Sequence, residues 1–130
     1  AWDDTFVSLR GYWPDNRRTV LVWWRDWAHE AKYDRVTRIG YPVIAAPTHH
    51  CYLDFYQMEP HRDSLYEVQS PTVTLKNSWD LRSLERRSIM GLQGLLWTET
   101  MRTWDVVEYQ LFPRAVAIAE AAWLPQEHLD

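Results

Sequence analysis

The sequence predicts an α/β fold with parallel strand pairing, and three observations carry that expectation. Short apolar runs rich in β-branched and aromatic residues recur at residues 19–24, 41–46 and 89–97. Helix-compatible stretches follow the first and the last of these runs, at residues 27–38 and 103–122. Each run ends in a segment that carries aromatic or acidic residues. Strands buried on both faces read as continuous apolar runs, and alternation with helices implies parallel pairing.

Taken in order, residues 1–6 are expected to form a short strand. Residues 11–18 hold Gly11, Pro14, Asp15 and Asn16 and are expected to form a loop. Residues 19–24 form a buried strand. Asp26 is placed to cap a helix from Trp27 to about Arg38, with Gly40 as its stop. Trp27, Ala31, Val36 and Ile39 roughly trace its apolar stripe. Residues 41–46 form another strand, ended by Pro47. The polar segment from Thr48 to about Asp80 contains Pro60 and Pro71 and is expected to be a long loop, a feature usually tied to function. Residues 81–87 are expected to form a short helix whose Arg82, Glu85, Arg86 and Arg87 make a solvated face. Residues 89–97 form the last strand, punctuated by Gly91 and Gly94. Thr103 is placed to cap a helical stretch to Ala122, restarted at Pro113 because proline fits a first helical turn and breaks an interior one.

Composition narrows the functional classes. The 130 residues are 46% hydrophobic, enough for one domain with a core and against disorder. A net charge of -4 argues against a nucleic-acid surface, which needs a basic stripe. The longest apolar runs, residues 20–24 and 115–122, are too short or interrupted to span a bilayer. The first residues show no charged-then-apolar leader pattern, which leaves a secreted or a cytoplasmic home open. Cys51 is the sole cysteine, so no internal disulfide is expected. The chain has nine tryptophans. Core packing accounts for large aromatics by default. Carbohydrate pockets also use them, because sugar C–H faces stack on rings.

In parallel α/β folds, sites form at the C-terminal ends of the strands. The expected strand ends here carry Trp2, Asp3 and Asp4; Trp24, Arg25 and Asp26; Tyr52 and Asp54; and Trp97 and Glu99. Tyr52 and Asp54 lie two apart, which on an extended segment turns both to one side. Trp97 and Glu99 repeat the pattern. Asp3 and Asp4 are adjacent and face opposite ways, a poor catalytic pair. A single aromatic–acid doublet is better explained by a packed ring beside a solvated acid; two on neighbouring strands bring that account level with a functional site. His49, His50 and Cys51 are consecutive, so they do not converge on one ion, and no second cluster has zinc spacing. No metal or other cofactor is therefore expected, and Cys51 is a weak candidate nucleophile.

These motifs resemble a known family. Gly40-Tyr41-Pro42-Val43-Ile44 followed by Cys51-Tyr52-Leu53-Asp54-Phe55-Tyr56-Gln57 resembles the seventh strand and its loop in the β-N-acetylhexosaminidases of glycoside hydrolase family 20. Gly91-Leu92-Gln93-Gly94-Leu95-Leu96-Trp97-Thr98-Glu99 resembles the eighth strand. Glu108-Tyr109, Phe112-Pro113-Arg114, Ala119-Glu120 and Trp123 resemble the final helix. Trp24-Arg25 resembles the sixth strand end, and Trp2-Asp3-Asp4 the fifth, where the family usually has Gly-Trp-Asp-Glu.

The resemblance implies a partial (β/α)8 TIM barrel, strands five to eight plus the C-terminal helix, with residues 1–130 as the C-terminal half of the catalytic domain. It implies a retaining exo-glycosidase that removes terminal N-acetylglucosamine or N-acetylgalactosamine. The substrate's own 2-acetamido oxygen is the nucleophile, an exception to the two-carboxylate scheme. By the same resemblance Tyr52 holds the acetamido oxygen, and Trp2, Trp24 and Trp97 wall the acetamido pocket. Glu99 accepts from hydroxyls at the non-reducing end, and Asp54 helps to hold the sugar. The family's catalytic Asp-Glu pair belongs to the fourth strand, in a Gly-Gly-Asp-Glu motif that does not occur in these residues. The general acid is thus expected outside this chain, and so is a partner: the N-terminal half of the barrel or a second copy. The competing expectation is a non-catalytic sugar-binding or structural half-barrel. A third is an unrelated α/β domain whose motifs coincide by chance, which three ordered motifs argue against; a variant of the enzyme reading, in which Asp54 and Glu99 act as a conventional carboxylate pair, needs a raised pKa that the sequence does not indicate.

Overall fold

A computed structural model of the chain describes residues 1–8, 14–59, 65–84 and 88–125. Trp13, Pro60 and the charged Glu85, Arg86 and Arg87 lie outside the described residues. The described chain divides into two compact units: residues 1–48 with 85–93, and residues 49–84 with 94–130.

The first unit is built on a parallel three-stranded sheet in the order β1 (Leu21–Trp23), β2 (Val43–Ala45), β5 (Gly91–Leu92). The pairing is parallel throughout, with Val22 opposite Ile44 and Ile44 opposite Gly91. Leu21, Val43 and Ala45 are fully buried, as apolar strand runs require. The first expected strand shrinks to its first two residues. Val22 N–H donates to the Ala1 carbonyl at 2.7 Å, and Trp2 bridges Val22 in parallel. From Asp3 the chain turns into helix α1 (Asp3–Ser8). Two acids in its first turn suit the positive end of the helix, which is the signal that favours helix over strand here.

The helix expected from Trp27 to Arg38 is broken. A 3-10 turn spans His29–Ala31, and α2 begins only at Tyr33 and ends at Arg38. Lys32 between them is extended, at φ -59° and ψ 142°. The Ala31 carbonyl accepts a hydrogen bond from the Trp23 indole N–H at 2.6 Å, which ties the break to β1. Asp26 sits in a turn, and the N-cap positions of the 3-10 turn and of α2 are Ala28 and Lys32; Ala31 and Val36 are buried, whereas Trp27 and Ile39 are exposed. Gly40 ends α2 at φ +86°, a conformation other L-residues rarely adopt.

The second unit corrects the expectation of a structureless segment. It contains α3 (Thr48–Cys51, whose first residue belongs to the other unit), a parallel pair β3 (Phe55–Tyr56) and β4 (Gln69–Thr72), and α4 (Leu75–Asp80), which continues into a 3-10 turn at Leu81–Ser83. A capping box starts α4: Thr74 Oγ1 accepts from Asn77 N–H at 3.2 Å, and Thr74 N–H donates to Asn77 Oδ1 at 2.8 Å. Only Gly91 and Leu92 of the expected last strand form a ladder; Leu95 makes an isolated parallel bridge to Tyr52.

The C-terminal stretch forms α5 (Trp104–Leu111) and α6 (Arg114–Trp123), with the break at Pro113 that the sequence predicts. Thr103 stands at the cap position without a side-chain cap bond. On α6 the buried positions are Arg114, Ala117, Ile118 and Ala121, one stripe at helical spacing. An arginine in such a stripe is unusual, and it is fully buried.

Candidate functional site

In the first unit the residues after β1 fold back onto the start of the chain. Trp24 N–H donates to Asp3 Oδ1 at 3.3 Å, and Arg25 Nε pairs with Asp3 Oδ2 at 3.0 Å. Asp3 is nearly buried, and burial raises its pKa against the lowering effect of Arg25 and the Trp24 amide. Asp4 is exposed and accepts from the Trp24 indole N–H at 3.5 Å; both acids lie in the first turn of α1 and both contact Trp24, so the strand alternation expected of them does not apply. The Trp2 and Trp24 rings meet edge to face at 6.5 Å, and Trp27 meets Trp24 the same way at 5.1 Å. Trp27, assigned from the sequence to a helix face, is instead an exposed member of this aromatic group.

In the second unit Tyr52, Asp54, Trp97 and Glu99 belong to two segments joined by backbone pairing. Leu53 N–H donates to the Leu95 carbonyl at 2.7 Å, and Leu95 N–H to the Cys51 carbonyl at 2.8 Å. Tyr52 is buried, its ring 5.6 Å from that of Phe55. The expectation that residues 52–54 are extended is not met: Leu53 and Asp54 form a turn between Tyr52 and β3. Asp54 is 1% exposed, whereas Trp97 is 42% exposed. Glu99 lies at the surface and accepts from Gln69 Nε2 at 3.3 Å. Gln69 is a polar neighbour that sequence spacing did not single out, because it stands on β4, thirty residues from Glu99.

The electrostatics of Asp54 are distinctive. Burial is the main cause that raises its carboxyl above the ordinary range, and Glu99 adds to the effect. The amides of Asp54 and Trp97 and the charge of Arg114 oppose it. A raised carboxyl is not legible in the sequence, because burial of a turn aspartate leaves no pattern in the chain. Among the described residues Asp54 Oδ1 has no hydrogen-bond partner. Such an atom is costly to bury and calls for an explanation.

Beneath the turn lies Arg114. Its Nη1 donates to the carbonyls of Phe55 at 3.0 Å and Val73 at 2.8 Å. Its Nη2 donates to the Leu53 carbonyl at 2.6 Å and to Gln110 through both its carbonyl, 2.8 Å, and Oε1, 2.7 Å. Cys51 is fully buried in α3, and His50 receives the Ser78 hydroxyl on its carbonyl at 2.9 Å. The described residues hold no cluster of three or more His, Cys, Asp or Glu of a kind that binds a metal ion, and no helix long and apolar enough to cross a membrane.

Residues 1–126 match the family described as glycosyl hydrolase family 20, catalytic domain. The chain belongs to that family. Among family 20 relatives, a β-hexosaminidase of Akkermansia muciniphila is 31% identical over 113 residues, 82% of this chain and 22% of its own length. An N,N'-diacetylchitobiase of Vibrio harveyi is 26% identical over 75% of this chain and 14% of its own. Of solved structures, the β-N-acetylhexosaminidase of Streptomyces coelicolor A3(2) matches with a TM-score of 0.72 at 26% identity, over 95% of this chain and 26% of that one. An exo-β-N-acetylglucosaminidase of Vibrio harveyi, solved in complex with N-acetylglucosamine, matches with a TM-score of 0.71 at 26% identity, over 99% of this chain and 20% of that one. These family 20 neighbours imply a TIM-barrel-type catalytic domain, and the chain spans about a quarter or less of their length.

Proposed function

We propose that the chain supplies the fifth to eighth strand segments and closing helix of a retaining exo-β-N-acetylhexosaminidase barrel, with the general acid on the other half. Residues 1–130 are then the C-terminal half of the catalytic domain. Tyr52 holds the substrate's acetamido oxygen under the anomeric carbon, so that it attacks as the sugar–aglycone bond breaks. Positioning of this kind contributes a large share of such a rate enhancement. Trp2, Trp24 and Trp97 wall the acetamido group, and Asp54 and Glu99 bind sugar hydroxyls.

The observation that carries this reading is Asp54: a carboxylate 1% exposed, with Oδ1 unpartnered among the described residues, beside a half-exposed tryptophan and a surface glutamate. A sugar hydroxyl donating to Oδ1 would satisfy it, and the Trp97 ring offers the adjacent apolar face.

The test is hydrolysis of a chromogenic β-N-acetylglucosaminide by the purified chain, alone and assembled with the N-terminal half of a family 20 barrel. Turnover is expected only on assembly, and Asp54→Asn in the assembled enzyme raises KM. Turnover by the chain alone that Glu99→Gln abolishes would overturn the placement of the acid on the other half.

A further inference from the structure

Deepening the reading of Asp54 as a sugar-binding group, we propose that Arg114 is its positioning residue: one guanidinium, anchored to α5 through Gln110, holds the backbone on both sides of Asp54 and so sets where that carboxylate meets the substrate.

The geometry is specific. The two carbonyls that flank Asp54, those of Leu53 and Phe55, go to different nitrogens of the same guanidinium, at 2.6 and 3.0 Å. A planar fork fixes the two carbonyls relative to each other, which a single point donor does not. Further acceptors fix the fork in turn: the Val73 carbonyl just before α4, and Gln110 one turn back. Gln110 and Arg114 are both 0% exposed. Burial of a guanidinium is expensive, and the five hydrogen bonds from its two terminal nitrogens offset that cost. A chain that needed only to fill this space would place leucine or methionine in the stripe of Ala117, Ile118 and Ala121. What the arginine adds is control of the Leu53–Phe55 turn, and the side chain that this turn carries is Asp54. Gly94 leaves room beside the same turn: a Cβ there would crowd Ile118 Cδ1 at 3.3 Å and touch Leu53 Cδ1 at 3.6 Å.

The experiment is a double-mutant cycle in the assembled enzyme, joined to a titration of Asp54 in the chain itself. Arg114→Lys keeps the charge and loses the fork. It is expected to raise KM for the chromogenic N-acetylglucosaminide roughly tenfold with kcat little changed, and to add nothing in an Asp54→Asn background. Gln110→Leu, which leaves the guanidinium in place and removes one of its acceptors, is the milder second variant, with a smaller KM effect that also vanishes in Asp54→Asn. Carbon-13 NMR of the Asp54 carboxyl, facing Glu99 and Arg114, is expected to show a moved midpoint in both variants of the isolated chain. Equal fold-losses with and without Asp54→Asn, or an unmoved Asp54 midpoint in the folded variants, would overturn the proposal. If Asp54→Asn itself leaves KM unchanged, the sugar-binding reading fails, while the titration still decides whether Arg114 holds Asp54.

Discussion

At the scale of single residues, Asp54 sets a pH dependence. Its folded-state pKa is raised, chiefly by burial, above the ordinary carboxylate value of 3.8. The folded chain therefore binds this proton more tightly than the unfolded chain does. Its contribution to stability is fully present below pH 3.8 and is lost as pH rises through the raised folded value. Asp3, also raised by burial, acts in the same direction. Because Asp54→Asn removes only one of the two, the difference between the wild-type and variant profiles isolates it. Chemical denaturation across pH 3–8 is expected to show wild type losing stability relative to Asp54→Asn as pH rises; parallel profiles would refute this. Trp97→Ala is expected to weaken N-acetylglucosamine binding to the assembled enzyme by about 1 kcal/mol, the scale of a ring contact beyond simple burial. Calorimetric titration measures it, and unchanged affinity would remove Trp97 from the pocket. The residue types of the candidate site were legible from spacing and resemblance. Burial was not: nothing in Tyr52-Leu53-Asp54 announces a buried turn, because the guanidinium that holds the Leu53 carbonyl comes from Arg114, far along the chain.

At the scale of elements, what was legible followed local composition. The runs around Leu21, Val43 and Gly91 are continuous apolar segments, and they became a parallel sheet. The break at Pro113 and the stripe of α6 are equally local. The errors came where a tertiary contact or a cap outweighed the pattern. Trp23 reaches Ala31 and accompanies a break in a helix that its composition would continue. The Thr74–Asn77 box starts α4 inside a segment whose prolines and charges read as loop. The box has the spacing of a capping motif, with asparagine in place of the usual glutamate or glutamine, which is why it escapes a search for the common pattern. Thr74→Ala is expected to destabilise the second unit by about 1 kcal/mol, through loss of the cap. Thermal unfolding followed by circular dichroism checks this; an unchanged midpoint would show that packing of α4 against α6 is sufficient without it.

At the scale of the whole chain, the first unit leaves sheet edges at β5 and at the segment Ala1–Trp2, with no further strand paired to either among the described residues. Large apolar side chains stand open as well: Trp104 is 73% and Trp123 87% exposed. Open edges and exposed aromatics drive association. The isolated chain is therefore expected to self-associate or to dock on an N-terminal barrel half, and native mass spectrometry that finds a well-folded lone monomer would contradict this.

The order of the strands also bears on how the chain is made. β2 lies between β1 and β5, and its second neighbour, Gly91–Leu92, comes long after Val43–Ala45 in the chain. Synthesis delivers β1 and β2 first. Until translation has passed Leu92, the ribosome holds a nascent chain whose β2 edge is unsatisfied, and much of what separates the two strands belongs to the other unit. A slow stretch of translation between Ala45 and Gly91 would prolong that exposure, whereas a pause after Leu92 would let the edge close before release.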